Sequence, residues 1–399
     1  MPSFTIANVT PKTWDVIIIG GGIIGLSLSI ALRKRGATVL LVERGEPGRE
    51  ASHAAGGMLV DCPLETPPAL QKLATASARM YPEFAHELEV ESGMKVDLRD
   101  DGAILFWSGE QFKRISVLDP KFRGSALSVL DLEEREPALK YGDFDNEQEL
   151  ESFRQDFDPP PDPEDLRNFC KSVFRPAISL SERSVDPRAL SAAALKTAKN
   201  RGVDFSSGDE VTSVAISDGH ATGVSTKKTA FHAEKVVNCA GAWAGQIGPR
   251  PFPTRPVKGQ MLCLVMPQRE LIRHVIRSPK AYLIPRSDGR LLVGATVEEA
   301  GFDKRTVPAT IQRLHKAALE LVPKLVDARI LEDWAGLRPG TPDALPILGA
   351  TQVTGYFVAT GHFRDGILLA PITAQVMADV IEGRTPEHDL TAFTPARFL

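Results

Sequence analysis

The sequence GGGIIG at residues 20–25 constrains the fold of this chain more than any other stretch. It follows the apolar run WDVIIIG (Trp14–Gly20) and opens a helical pattern that runs from Ile23 to about Arg35. The next run, ATVLLVER (Ala37–Arg44), has the length and the apolar content of a second buried strand. Together these elements predict a βαβ unit, in which a parallel sheet is covered by helices on both faces.

The glycines match the G-x-G-x-x-G pattern. This short motif indicates a nucleotide site because it lies between a strand and a helix. Gly20 permits the tight turn, Gly22 lets the backbone approach a pyrophosphate, and Gly25 lets the helix pack against the strand. Glu43 ends the second strand eighteen residues after Gly25, where a carboxylate accepts hydrogen bonds from ribose hydroxyls. The unit predicts a dinucleotide without a 2′-phosphate. The motif leaves NAD and FAD open, and the small residues of Gly48–Asp61 favour close approach to a large flat cofactor.

Composition and charge exclude several other classes of protein. The 399 residues are 43% hydrophobic and 25% charged, which is typical of a soluble globular chain with room for two domains. The net charge is -4 and no block of Lys or Arg occurs, so we expect no nucleic-acid partner. The apolar segment Asp15–Leu32 is opened by an acid and interrupted by glycines, so we expect neither a membrane helix nor a signal peptide.

The cysteines indicate a reducing compartment. No CxxC motif is present, which argues against a zinc site and against a disulfide framework. We therefore expect a cytoplasmic protein without a bound metal. The cysteines are Cys62, Cys170, Cys239 and Cys263.

Two later segments are predicted to return to the first sheet. In Ser184–Gly202, Asp186 is a helix-capping acid, Pro187 suits the first helical position and the last glycine closes the helix. Gly355–Gly383 reads as a strand, a glycine-bounded loop and an amphipathic helix. Residues 257–337 instead alternate apolar and polar positions, which is typical of antiparallel strands.

These patterns predict an α/β fold with two interleaved domains, one that binds a nucleotide and one rich in antiparallel strands. The acidic, proline-punctuated residues 131–166 are predicted to lie on the surface, partly as a long loop. The predicted division is 13–91, 180–256 and 338–399 for the nucleotide-binding domain, 92–179 and 257–337 for the other domain, and 1–12 for a loose N-terminal tail.

Eight segments between residues 15 and 371 resemble, in family order, the FAD-dependent amine and amino-acid oxidases of the D-amino-acid oxidase group. They are DVIIIGGGIIGLSLSIAL, SHAAGGML, VDPRAL, VNCAGAWAG, RPVKGQML, YLIPRSDGRLLVGAT, WAGLRPGTPDALPILG and ATGHFRDGILLAP. Within that group the chain is most similar to the glycine oxidases of thiamine-thiazole synthesis. The resemblance implies a Rossmann-like FAD-binding domain interleaved with an antiparallel β-rich substrate domain, and a homo-oligomer such as a tetramer. Because no cysteine follows Cys263, it also implies non-covalent FAD.

The resemblance implies the following contacts to FAD. Residues at the start of the helix and after the second strand would hold the phosphates and the adenosine ribose, 51–58 would run along the flavin, and 362–368 would wrap the pyrimidine end of its ring. The implied set is Gly20, Gly22, Ile23, Ile24, Gly25, Glu43, Arg44, Ala51, Ser52, Gly56, Gly57, Met58, Val211, Ala240, Gly241, Trp243, His362, Phe363, Arg364, Asp365, Gly366, Ile367 and Leu368.

The resemblance also implies a catalytic set of Arg338, Tyr282 and Arg364. Arg338 would grip the substrate carboxylate, Tyr282 would add a hydroxyl at the same end, and Arg364 would lie near the substrate and the flavin edge. Met58 and Val297 would complete the substrate site.

Other interpretations of these residues remain open. Arg338 could be a structural arginine held by carbonyl groups of the surrounding turns, and Tyr282 an ordinary cross-strand aromatic. Arg364 could form an ion pair with Asp365 or another acid. Substrate size would depend on Val297 and Lys280.

The activity that the resemblance implies is oxidative deamination of glycine, sarcosine or a small D-amino acid. A hydride would pass to flavin N5, and the products would be an imino acid, then an α-keto acid, ammonia and H2O2. A flavin dehydrogenase with another electron acceptor is the alternative. A non-catalytic flavin-binding subunit is disfavoured by the pairing of Arg338 with Tyr282. A flavin monooxygenase is disfavoured because no second dinucleotide fingerprint occurs.

Overall fold

The computed structural model describes residues 12–106, 124–140, 162–165, 177–249 and 251–398. Its strands are β1 (Thr13–Ile19), β2 (Val39–Glu43), β3 (Met58–Leu59), β4 (Leu98–Arg99), β5 (Ala103–Phe106), β6 (Gly124–Leu127), β7 (Ala177–Leu180), β8 (Arg183–Val185), β9 (Asp204–Ser207), β10 (Val211–Ser217), β11 (His220–Thr226), β12 (Ala230–Asn238), β13 (Arg255–Val265), β14 (Val275–Arg277), β15 (Tyr282–Pro285), β16 (Arg290–Gly294), β17 (Arg329–Gly340), β18 (Ile347–Ala350) and β19 (Tyr356–Thr360). Its helices are α1 (Ile23–Lys34), α2 (Ala51–Ala54), α3 (Gln71–Ser92), α4 (Val129–Arg135), α5 (Pro187–Asn200), α6 (Pro308–Leu321) and α7 (Ala370–Ile381).

The first sheet contains the βαβ unit that the glycine motif predicts. Its strands follow the order β10-β11-β12-β1-β2-β9, and β19 pairs with the end of β12 while β18 pairs with β19. The strands β9, β2, β1, β12 and β19 are parallel, and the β10–β11 hairpin and β18 are antiparallel additions. β2 is buried along its whole length, as expected for a strand with both faces covered.

Helices cover one face of this sheet, which corrects the expectation of helices on both. Val16 and Leu41 point into a core that α1, α3, α5 and α7 share. Ile17 and Leu40, on the opposite face, pack in a cluster to which no described α-helix contributes. The β10–β11 hairpin and aromatic side chains such as Phe252 cover this opposite face of the sheet, because their own apolar side chains pack against it.

The second sheet confirms the antiparallel pattern that the alternation in residues 257–337 predicts. Its order is β17-β13-β16-β15-β14-β5-β7-β6, and only the β14–β5 pair is parallel. Helix α6 packs on one face through Leu314 and Ala318 against Leu262 and Leu264 of β13. The opposite face carries Met261 and Ile284 and is turned toward Gly56, in the segment between α2 and β3.

The predicted domain boundaries cut through two of these strands. The step from 256 to 257 falls inside β13, and the step from 337 to 338 falls inside β17. The division into two domains stays a prediction. Within the acidic segment, residues 131–135 belong to α4, whereas residues 141–161 and 166 lie outside the described residues, as do 1–11 and Cys170. In the described part of the chain, no helix combines the length and the apolar character that crossing a membrane requires.

Asp186 confirms the predicted start of α5 and links it to the second sheet. Its side chain accepts hydrogen bonds from the backbone N–H groups of Arg188 (2.8 Å) and Ala189 (3.3 Å). Arg290 of β16 donates to the same carboxylate at 2.7 Å. Burial opposes ionisation of Asp186, but the charges of Arg286 and Arg290 outweigh it and hold the pKa of this carboxyl below its usual value.

We expect Asp186→Asn to lower the free energy of unfolding by about 1–3 kcal/mol, because it removes the charge opposite Arg290 and the buried Arg286 but keeps a capping oxygen. Asp186→Ala also removes the cap and should cost about 1 kcal/mol more. Urea unfolding at neutral pH measures both variants.

The pH dependence separates the charge from the cap. A carboxyl with a lowered pKa in the folded state stabilises the protein above its unfolded pKa of about 3.9, and this stabilisation disappears as the pH falls through the lowered value. The difference between the wild type and Asp186→Asn should therefore vanish in strong acid. A difference that stays constant over this range would contradict the role of the charge.

Candidate active site

A single cavity of about 770 Å³ joins the glycine turn of the first sheet to the face of the second sheet. This size is within the range of cofactor and ligand pockets, which is roughly 300–1,000 Å³. All of the site residues predicted from the sequence line it except Gly25, Leu368 and Lys280. Gly25 lies behind the turn, and Leu368 is fully buried beneath the cavity wall.

The glycine turn brings the backbone at the start of α1 to this cavity. Gly20 has φ 104°, and a Cβ there would lie 2.5 Å from the carbonyl oxygen of Cys239. A Cβ at Gly25 would overlap the carbonyl oxygen of Gly20, so α1 packs on β1 as the motif predicts. Gly22 precedes α1 without a capping side chain, and the N–H of Ile23 is donated to Ser52 Oγ at 2.9 Å. The turn is a ready anion cradle at a helix start.

Glu43 also holds the turn itself in place, a role that its position in the sequence did not reveal. Its Oε2 accepts a hydrogen bond from Gly21 N at 2.7 Å and its Oε1 accepts one from Gly45 N at 2.9 Å. The residue is only 8% exposed and lines the cavity. Each carboxylate oxygen has a second lone pair, so the predicted acceptance from ribose hydroxyls remains chemically available.

Arg44 and Trp243 form the wall near Val211, at one end of the cavity. The guanidinium carbon of Arg44 lies 3.4 Å from the centre of the Trp243 ring, a cation–π arrangement. Glu50 accepts a hydrogen bond from Arg44 at 2.7 Å, so the charge of this arginine is already balanced. Arg44 and Trp243 therefore present a flat surface to the cavity rather than an unpaired positive charge.

Loop 362–369 forms the other wall of the cavity. His362 of this loop does not act as an acid or a base. The ring is 3% exposed, and its Nε2 is 3.1 Å from the hydroxyl of Thr373. Burial lowers the pKa of His362 to about 3, so the imidazole is neutral.

Helix α3 anchors this loop through contacts that the sequence did not indicate. The hydroxyl of Tyr81 donates to the carbonyl oxygen of Ile367, and Ser77 Oγ donates to the carbonyl oxygen of Leu368 at 2.6 Å. Both side chains are completely buried. The loop is therefore held from below just before α7 begins.

Arg338 enters the cavity from β17 with no carboxylate partner in the described part of the chain. Its Nη1 donates to the carbonyl oxygens of Thr296 (3.0 Å) and Lys258 (3.4 Å). A Cβ at Gly259 would lie 2.6 Å from the guanidinium carbon, so the neighbouring strand leaves space for this group. Carbonyls thus hold one nitrogen, as the structural interpretation expects, and the group still lines the cavity.

Tyr282 lies beside Arg338 and packs across the sheet on Gly294. The two residues face each other in the β15–β16 register, and a Cβ at Gly294 would lie 2.8 Å from the phenol oxygen. Burial raises the pKa of Tyr282, against the opposing effect of Arg338 and Arg364. The hydroxyl therefore stays protonated. Tyr282 is both a cross-strand aromatic and a lining residue of the cavity.

Arg364 makes no ion pair with Asp365 or another acid among the described residues. It is exposed, lines the cavity, and lies 5.2 Å from the ring centre of Phe363. Burial raises the pKa of Asp365 to about 6 although Arg364 opposes the shift. Lys280 instead pairs with Glu320 at 2.6 Å and does not line the cavity, whereas Val297 lies on the rim and is 54% exposed.

Strand β17 ties the two walls together. The indole N–H of Trp334 donates to the carbonyl oxygen of Ala54 at 3.1 Å, and a Cβ at Gly336 would overlap the Ala54 side chain. In addition, Arg286 of the segment after β15 donates to the carbonyl oxygen of Gly56 at 2.5 Å. Loop 51–58 is thus fixed against the same strand that carries Arg338.

Sequence reasoning missed a further charged group at the cavity. Arg277 and Glu65 both line it, and they form an ion pair with an N–O distance of 3.0 Å. The available signal was an arginine that directly follows the apolar residues Val275 and Ile276 in strand β14.

Comparisons with known proteins agree with this geometry. The family described as FAD dependent oxidoreductase (DAO) matches residues 15–380. The glycine oxidase of Pseudomonas aeruginosa is 31% identical over 387 residues, covering 96% of this chain and 98% of the relative. A crystal structure of glycine oxidase from Geobacillus kaustophilus superimposes with a TM-score of 0.84 at 29% identity and covers 97% of this chain and 99% of that one.

A longer relative matches as well. The bifunctional protein ThiO/ThiG of Trichormus variabilis is 34% identical over 393 residues, covering 97% of this chain and 55% of the relative. The chain therefore spans about half the length of this relative.

We expect Glu43→Gln to weaken FAD binding about tenfold or more, because an amide offers one acceptor to two backbone N–H groups and turns its own N–H toward the other. Quenching of FAD fluorescence measures the Kd. The exposed neighbour variant Glu46→Gln is the control and should bind like the wild type. Equal affinity of both variants would contradict the dual role of Glu43.

Proposed function

The chain belongs to the FAD dependent oxidoreductase family, and on that premise we propose that it deaminates a small amino acid oxidatively with O2 as the electron acceptor. Glycine, sarcosine and small D-amino acids are the proposed substrates. The observation that carries this proposal is Arg338, a permanent cation that faces the cavity without a carboxylate partner in the described residues.

The cavity fits FAD. The glycine turn and the start of α1 would hold the pyrophosphate, Glu43 the adenosine ribose, and loops 51–58 and 362–367 the flavin. The cavity volume of about 770 Å³ supports this fit, since it lies within the range of roughly 300–1,000 Å³ that cofactor and ligand pockets have. The chemistry that FAD supplies when bound is two-electron oxidation of the substrate α-carbon, by hydride transfer to N5, and reduction of O2 to H2O2.

Arg338 and Tyr282 orient the substrate in this proposal. A guanidinium and a carboxylate form two parallel charge-assisted hydrogen bonds, which fix the plane of the carboxylate and thereby the direction of the α-carbon. The protonated hydroxyl of Tyr282 can donate a third hydrogen bond at the same end. Positioning of this kind can supply several kcal/mol of a barrier, about 7 to 11 at best.

In this proposal the amine proton is released to solvent, assisted by positive charge at the cavity. His362 is neutral, buried and hydrogen-bonded to Thr373, so it does not face the substrate as a base. The exposed guanidinium of Arg364 places positive charge at the cavity and would lower the pKa of a bound amine. The reactive, neutral amine is thereby favoured. Water then converts the imino acid to an α-keto acid and ammonia.

A substrate panel tests the proposed function. FAD-loaded protein is mixed in air with glycine, sarcosine, D-alanine, D-proline or L-alanine, and H2O2 and ammonia are measured beside the reduction of an artificial acceptor dye. We expect peroxide from at least one of the first four amines. Turnover with the dye and none with O2 would identify a dehydrogenase and contradict the oxidase.

Arg338→Ala should retain FAD and lose about a hundredfold or more in kcat/KM, since removing one partner of a buried charge pair costs about 2–5 kcal/mol. Arg338→Lys keeps the charge but not the planar fork, so we expect an intermediate loss. The matched control is Arg305→Ala, an exposed arginine that pairs with Asp303 outside the cavity. Kinetics of Arg338→Ala that match those of the control would refute the clamp.

A further inference from the structure

Arg277 is a second arginine of the cavity, but its charge is already opposed. It is 5% exposed and lies on β14. Its guanidinium is 2.8 Å from Glu182 Oε2 and 3.0 Å from Glu65 Oε2. The side chain of Glu182 is 6% exposed, whereas that of Glu65 is 40% exposed. Arg277 and Glu65 line the cavity, and Glu182 lies behind them.

This cluster lies beyond Tyr282 as seen from Arg338. The strand order β17-β13-β16-β15-β14 places Arg338 on the first of these strands and Arg277 on the last. Arg277 faces Tyr282 directly in the β14–β15 register. Neighbouring strands are about 4.8 Å apart. Four such spacings separate the strands of Arg338 and Arg277, so the two arginines lie at opposite ends of the substrate region.

The two ends differ in charge. At one end, Arg338 is a cation that donates to two carbonyl oxygens and lies beside the phenol of Tyr282, with no carboxylate partner among the described residues. At the other end, two carboxylates oppose the single guanidinium of Arg277. Burial raises the pKa of Glu182 to about 7, so this cluster is neutral to negative around neutral pH. Glu65 is its solvent-facing member.

We propose that Glu65 excludes substrates with a second carboxylate, both by occupying Arg277 and by presenting its own negative charge to the cavity. Like charges placed together repel each other, although solvent screening weakens the effect at a partly exposed group, whereas a neutral side chain meets no such penalty. The proposed substrates are therefore amino acids with a single carboxylate, and Arg338 binds that carboxylate. The consequence of this inference for catalysis rests on the proposed function. The charge selection itself is a property of ligand binding.

The test compares isosteric ligands that differ by one charge. Succinate carries two carboxylates and succinamate carries one, and each is titrated into FAD-loaded protein while the flavin absorbance is followed. We expect the wild type to bind succinamate at least about tenfold more tightly than succinate, equivalent to about 1.4 kcal/mol. In Glu65→Gln this ratio should fall about tenfold, toward equal affinity.

Two further variants separate charge from structure. Glu65→Asp keeps the negative charge and should keep the discrimination. Glu270→Gln removes a carboxylate that pairs with Arg273 outside the cavity, and it should leave the ratio unchanged. A wild-type ratio near one, or a ratio that Glu65→Gln leaves unchanged, would overturn the proposal.

Turnover gives an independent measure. The ratio of kcat/KM for D-asparagine over D-aspartate should fall in Glu65→Gln and persist in Glu65→Asp. The binding ratio needs no turnover. If the substrate panel yields no oxidation, the proposed function fails while the charge selection by Glu65 can still be confirmed or refuted by the ligand titration.

Discussion

The proposed substrate site depends on the guanidinium of Arg338, which has no carboxylate partner among the described residues. A permanent charge in a partly buried site is costly unless dipoles or an opposite charge face it. The carbonyl oxygens of Thr296 and Lys258 hold one of its nitrogens, and Gly259 leaves the space that the group fills. The opposite charge is absent from the described residues, which is the property expected of a group that awaits a carboxylate ligand.

The rest of the structure places this cation at a fixed position relative to the nucleotide turn. Strand β17 carries Arg338. Through Trp334 and Gly336 the same strand contacts Ala54 of α2, which belongs to the segment 51–58. From the other sheet, Glu43 accepts hydrogen bonds from the N–H of Gly21 in the turn and from the N–H of Gly45 after β2. Tyr81 secures the opposite loop from below. These contacts connect the strand that carries Arg338 to the segments that would hold the cofactor.

Local patterns were sufficient for much of this fold. The glycine turn, the strands on either side of α1 and the cap at Asp186 depend on residues close together in sequence, and the structure confirms them. The resemblance brought the distant residues Arg338 and Tyr282 to one site, and the structure places both at the cavity. Their roles in catalysis stay predictions.

What the sequence did not reveal depends on contacts between distant segments. Glu65 and Arg277 are far apart in the chain, so no spacing rule could pair them. Lys280 was considered for substrate size because of its place near Tyr282, but its side chain turns to Glu320 on α6. The second cover of the first sheet comes from the β10–β11 hairpin rather than from helices, because apolar side chains can come from either kind of element.

The most direct test of the central claim is a crystal structure of the FAD-loaded protein with glycolate bound. The account predicts both carboxylate oxygens within hydrogen-bonding distance of the Arg338 guanidinium, with the Tyr282 hydroxyl beside them. A carboxylate bound at another cation, with Arg338 still held only by the carbonyl groups of Thr296 and Lys258, would contradict it.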